Sequence, residues 1–210
     1  DGGHDGARHI GFQGTGELVG RDLDAGDAVV VPQAHLAEAK GAVELLLADS
    51  YVRRDQVALV MFRGKGAEVL LPPTRSLVRA KRALTGMAGG GGTPLCSGLE
   101  TALLLALAER RRGATPVIVA LTDGQGNIAR DGTPGRAQAR LDALDAGRAI
   151  GLSGITSLLL DISPRPSPAA ADLAAAMGAR LVPLPYANSS AVSSIVMEET
   201  RAKSNGVYTV

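Results

Sequence analysis

Apolar residues in this chain fall in two kinds of run that alternate along its length. Val57-Ala58-Leu59-Val60-Met61-Phe62, Val117-Ile118-Val119-Ala120-Leu121-Thr122 and Ile155–Ile162 are continuous blocks of strand length. They lack the polar alternation of a half-solvated strand and read as strands covered on both faces. Between them, apolar positions recur at helical spacing. Leu36, Ala39, Val43, Leu46 and Leu47 predict an amphipathic helix over roughly 33–50, and further helices are expected at 75–85, 93–112, 136–150, 169–177 and 189–201. Shorter strands are expected at Ala28–Val31, ended by Pro32, at Val69–Leu71, ended by Pro72-Pro73, and at Arg180–Leu184. The second of these pairs with 57–62 as a hairpin through Arg63–Ala67.

Helices alternating with fully apolar strands imply an α/β fold: a doubly wound, mainly parallel sheet with helices on both faces and one antiparallel edge hairpin. Residues 1–27, rich in Gly and Asp, read as an irregular lead-in, 28–201 as one domain, and 202–210 as a tail. At 210 residues the chain suits one core rather than two. Aromatic residues are 2% of it and Trp is absent, so Leu, Val, Ile and Ala must fill that core.

Charge removes several function classes. With 22 basic and 21 acidic residues, no overall field draws the chain to nucleic acid or an anionic membrane. Arg110-Arg111-Arg112 reads as positive charge in the last turn of a helix, where the macrodipole favours it. A single cysteine, Cys96, forbids an internal disulfide. None of His4, His9 and His35 is near it in sequence, so it reads as a small buried thiol rather than a nucleophile. No stretch has the length and apolarity of a membrane span, and nothing resembles a signal peptide, so a soluble protein is expected.

In an open α/β sheet, ligands bind beyond the carboxyl ends of the strands. Asp123 directly follows the strongest strand, and Thr93 follows four glycines at the start of the 93–112 helix. There Thr93 suits an N-cap and Pro94 the first helical position. A carboxylate and a hydroxyl are hard oxygen donors and suit Mg²⁺, which often takes only one or two carboxylates and keeps several waters. Gly91, Gly92 and Gly124 flank this pair, where glycine lets the backbone turn sharply and approach a ligand closely. Taken singly, Thr93 is also explained as a cap and Asp123-Gly124 as a turn.

From about Leu36 onward the chain resembles the von Willebrand factor A (integrin I-type) domains, and more narrowly those ending the D subunits of magnesium chelatase. The resemblance rests on Leu36–Leu47, on Tyr51–Leu59, on Leu70–Leu77, on Gly89–Leu95 (GGGGTPL), and on Leu121-Thr122-Asp123-Gly124 with Asn127-Ile128-Ala129. It covers about 36–200. It implies a metal-ion-dependent adhesion site built from an Asp-x-Ser-x-Ser motif, a Thr and an Asp, with Thr93 on the second element and Asp123 on the third. The first element belongs shortly before Leu36, where Asp24 to His35 contains no serine. Asp24 and Asp27 stand as substitute ligands ahead of the apparent strand, while Pro32, Gln33 and His35 occupy the ligand positions when aligned on it.

The resemblance further implies a non-catalytic interaction domain in an ATP-dependent complex that inserts Mg²⁺ into protoporphyrin IX for chlorophyll or bacteriochlorophyll synthesis. Its partners would be the AAA+ I subunit and the porphyrin-binding H subunit, in bacterial cytoplasm or plastid stroma. Two alternatives stay open. One is a metal-free structural platform for an AAA+ ring. The other is a dinucleotide-binding oxidoreductase domain, because Gly124-Gln125-Gly126-Asn127-Ile128-Ala129 matches G-x-G-x-x-A after a strand. That fingerprint should open directly into a helix, and Asp131–Gly135 intervenes.

Overall fold

The structure is a computed structural model. It describes residues 54–85, 91–163, 165–183 and 206–209, with Glu44, Ala48 and Tyr51 as single helical positions. The strand at Ala28–Val31, most of the 33–50 helix, the 189–201 helix, and Asp24 and Asp27 lie outside the described residues.

Six described strands form one sheet: β1 (Gln56–Arg63), β2 (Gly66–Thr74), β3 (Thr115–Thr122), β4 (Thr156–Asp161), β5 (Arg180–Pro183) and β6 (Gly206–Thr209). Their order is β2-β1-β6-β3-β4-β5. Only β1 and β2 pair antiparallel; β1·β6, β6·β3, β3·β4 and β4·β5 are all parallel. The described helices are α1 (Leu77–Thr85), α2 (Leu95–Arg111), α3 (Arg136–Ser153) and α4 (Pro168–Met177). The expected α/β class, parallel sheet and edge hairpin are all present.

Both sheet faces are buried, which is why the strands carry no polar alternation. Val57, Leu59, Leu71, Val117, Val119, Leu158 and Leu160 point to one face and pack with Ala80 of α1. Ile118 and Leu159 point to the other and pack under α2, α3 and α4, against Leu95, Leu99, Ala143, Ile150, Leu173 and Met177. Small residues let these helices come close. Ala106 and Ala146 are buried in the same cluster, and Gly147 lies against Leu173 and Met177.

Several ends follow the sequence signals. α4 is capped by Ser167, whose Oγ accepts from the Ala169 N–H at 3.2 Å, with Pro168 opening the helix. α2 ends as expected at Arg111–Gly113, where the Gly113 N–H donates to the Arg110 carbonyl and the Ala114 N–H to that of Glu109.

Three differences have physical causes. Pro72-Pro73 does not end β2, which runs on to Thr74. β2 is an edge strand, and at this point two of its residues face the single Ala58 between the Val57↔Thr74 and Leu59↔Leu71 pairs. A bulge on an edge is where a strand tolerates prolines that cannot donate to the ladder. Thr93 is not the N-cap of α2; Pro94 is, and no side chain caps that end. Finally, residues 206–209, read from sequence as part of a tail, form β6 in the middle of the sheet between β1 and β3.

Candidate functional site

The parallel strands β1, β3 and β4 all end at one edge of the sheet, at Arg63, Thr122 and Asp161. Four loops meet there. Gly92 lies so close to the β1–β2 turn that a Cβ on it would overlap the Gly64 carbonyl oxygen and come within 2.6 Å of Ile128. Gly124, at φ +78°, is pressed against the backbone of Ala169 and Ala170 at the start of α4. The 91–94 segment therefore rests on the hairpin turn and on the loop after β3, and that loop rests in turn on α4.

Thr93 is held by its backbone. Its N–H donates to Asn127 Oδ1 at 2.6 Å, and its carbonyl accepts from the Asn127 N–H at 3.2 Å and the Leu95 N–H at 2.9 Å. No side-chain hydrogen bond caps α2, so the Thr93 hydroxyl does not serve that helix end. Asp123 follows β3 directly, and its Oδ1 accepts from the Gln125 N–H at 2.9 Å. Burial pushes its carboxyl above the ordinary range against the Gln125 and Asp123 N–H donors, and the nearby Asp161 charge pushes the same way.

Asp161 is the site residue that sequence reasoning missed. It ends β4 opposite Thr122, and it is buried. Its Oδ1 accepts from the Ser163 N–H at 2.9 Å and from the Ser163 hydroxyl, and its Oδ2 from the Ser167 N–H at 3.4 Å. A legible signal was present: an Asp at a strand end followed by a Ser two residues on, the spacing of an Asx turn.

The loop from Asp123 to Gly135 is organised rather than irregular. Ile128 and Pro134 form a β-bridge, the Ala129 N–H donates to the Thr133 carbonyl at 2.8 Å, and the Gly135 N–H to that of Asn127 at 2.9 Å. Asp131 closes its tip by accepting from the Thr133 N–H and hydroxyl. Arg130 ties it to the helices, with Nε on Glu100 of α2 and Nη2 on Asp145 of α3, each at 2.8 Å. A dinucleotide fingerprint would need a helix opening within 124–129; α3 opens only at Arg136.

The oxygen donors at this edge are of the type a hard divalent cation takes: a carboxylate kept partly from water and a threonine hydroxyl. Among the described residues, no group of three or more His, Cys, Asp or Glu side chains could hold a metal. None of the described helices is long and apolar enough to cross a membrane.

Residues 24–125 match the von Willebrand factor type A domain family. The fold agrees with solved structures, one of them a VWA domain. The structure of BatB from Bacteroides thetaiotaomicron superposes with a TM-score of 0.55 at 18% identity, covering 80% of this chain and 87% of that one. The SpRpn10 VWA domain does so with a TM-score of 0.55 at 15% identity, covering 77% and 82%. The chain thus carries a von Willebrand factor type A domain. It is of the kind found in magnesium-chelatase 60 kDa subunits. It is 52% identical to that of Cereibacter sphaeroides over 78% of this chain, and 49% identical to that of Rhodobacter capsulatus over 83%. It spans 29% and 31% of those relatives' own length.

Proposed function

We propose that this chain is a non-catalytic partner-binding module of a magnesium-chelatase complex, acting through the edge that carries Thr93 and Asp123. In this reading it supports the ATP-driven insertion of Mg²⁺ into protoporphyrin IX by engaging the AAA+ I subunit and the porphyrin-binding H subunit. The observation that carries it is the reciprocal backbone clamp between Thr93 and Asn127. It fixes the segment before α2 to the loop after β3 and leaves a threonine hydroxyl at the same strand edge as Asp123. The half identity to magnesium-chelatase 60 kDa subunits supports the choice of complex.

The Thr93 hydroxyl and the Asp123 carboxylate would hold a Mg²⁺ ion, with Asp24 and Asp27 as further candidate ligands. Such an ion offers an open coordination position to a carboxylate of a partner. The chain's own part is positional. Asn127 sets the Thr93 backbone, Asp161 holds the 161–167 loop, and Gly92 and Gly124 let the loops close on one another. Asp123→Ala is expected to weaken assembly with the I or H subunit and to lower chelatase turnover while the thermal melt stays cooperative. Assembly and turnover equal to wild type would overturn the reading.

A second reading, a metal-free platform for an AAA+ ring, is favoured by the absence of serine from Asp24 to His35. Titration with Mg²⁺ and Mn²⁺ separates the two, because only an ion-binding edge raises the melting temperature with the logarithm of ion concentration above Kd.

A further inference from the structure

α1 carries a charge pattern that the candidate site does not use. Arg75, Arg79, Lys81 and Arg82 lie within or beside this nine-residue helix, and all four are exposed. No acidic residue occurs in sequence between Glu68 and Glu100, although the chain as a whole is nearly neutral at +1. Three exposed arginines elsewhere are matched. Arg112 pairs with Glu109, Arg130 with Glu100 and Asp145, and Arg140 with Asp172. Among the described residues no carboxylate pairs with Arg79, Lys81 or Arg82.

The helix cannot turn this face inward. Ala80 is buried in the core, with Leu77 and Ala83 packed against it, which leaves Val78, Lys81, Arg82 and Thr85 outward and Arg79 on the flank. Val78 is 68% exposed among these cations. An outer face of unpaired guanidinium and ammonium groups around one apolar side chain complements carboxylates interspersed with apolar residues. Guanidinium in particular forks onto carboxylate.

We propose that the outer face of α1 docks an acidic polypeptide segment of a partner protein. A membrane is disfavoured because an interfacial helix must present its apolar face to lipid, and here that face is in the core. Nucleic acid is disfavoured because a helix of this length spans only about 13 Å. The near-zero net charge adds no field to draw a polyanion, and the helix offers no aromatic side chain for base stacking.

The test uses the chain in EDTA, so that it does not depend on any ion at the Thr93/Asp123 edge. The probe is a fluorescein-labelled peptide of about ten glutamates broken by single leucines, followed by anisotropy in low salt. Arg79→Gln/Arg82→Gln is expected to weaken binding at least tenfold, and Lys81→Glu to do so independently. Arg111→Gln/Arg148→Gln, which removes the same charge from exposed positions on α2 and α3, is expected to change it less than threefold. Equal losses in the two double variants would reduce the effect to general charge and overturn the proposal. So would absence of saturable binding to the wild-type chain, or tighter binding of a ten-nucleotide single strand or of phosphatidylserine vesicles than of the peptide.

Discussion

Asn127 and Thr93 bind each other twice, the Asn127 side-chain oxygen taking the Thr93 N–H and the Thr93 carbonyl taking the Asn127 N–H. One asparagine thereby closes a ring between two loops 34 residues apart in sequence. Asn127→Ala deletes the acceptor and leaves a part-buried amide without it. Such a loss costs about 1–3 kcal/mol, and in a domain of this size each kcal/mol is worth about 2–4 °C in Tm. Asn127→Asp keeps an acceptor and is expected to lose less. Thermal melts of the two variants check this, and equal losses would show that the clamp is not what holds the loops.

Gly124 and Gly135 bound the same loop but differ in surroundings. A Cβ on Gly124 would overlap the Ala169–Ala170 backbone, in a left-handed conformation at φ +78°, whereas one on Gly135 meets nothing within 4 Å. Overpacking against backbone costs about 1–3 kcal/mol, and the left-handed strain adds about 1 kcal/mol. Gly124→Ala is therefore expected to destabilise by at least about 2 kcal/mol and Gly135→Ala by under about 0.5 kcal/mol. Urea unfolding measures both, and a neutral Gly124→Ala would mean that α4 can retreat from the loop.

The sheet was legible in the sequence because its strands are apolar on both sides and separated by turn residues, as at Phe62-Arg63-Gly64 and Thr122-Asp123-Gly124. The helix end at Gly113 was legible because capping is local chemistry, while the Ser167-Pro168 cap starts α4 one residue ahead of the expected 169. What failed was set by distant partners. Thr93 looked like a cap, yet α2 starts one residue later behind Pro94, and Thr93 is tied by its backbone to Asn127 across the fold. Pro72-Pro73 looked like a strand end, yet edge position and a bulge accommodate it. Gly206–Thr209 carries only the short run Val207-Tyr208-Thr209, and its place between β1 and β3 is set by tertiary pairing. The Thr93/Asp123 edge was visible as residue types, while Asp161, marked in sequence only by Asx-turn spacing, joined it through the pairing of β4 with β3.

Cys96 sits in the first turn of α2 at 1% exposure, and burial pushes its thiol up to about 11, with the Glu100 charge adding and Arg130 opposing. A helix start would ordinarily favour thiolate; here desolvation wins. The native chain at pH 8 is expected to resist thiol reagents, and labelling should follow the unfolding transition in urea. Stoichiometric labelling within seconds in native buffer would contradict this.

Asp142, on α3, accepts from the Arg130 N–H at 2.8 Å and from the Gln138 side-chain amide at 2.7 Å. These donors, with the Arg130 N–H first, hold its carboxyl below the ordinary range although burial opposes them. A carboxylate whose folded pKa is depressed stabilises the fold fully above its unfolded pKa of about 3.9 and loses that stabilisation as pH falls through the folded value. Asp142→Asn cannot accept from both donors with equal strength, and its amide adds a donor facing an N–H. At pH 7 it is expected to be less stable than wild type by about 1–3 kcal/mol. The gap should stay constant down to about pH 5 and narrow below about pH 4, because the wild-type carboxyl then protonates and loses its own advantage. Urea unfolding of both proteins at several pH values between 7 and 3 measures the gap. A gap as wide at pH 3 as at pH 7 would mean that the Arg130 and Gln138 contacts do not depend on the charge of Asp142.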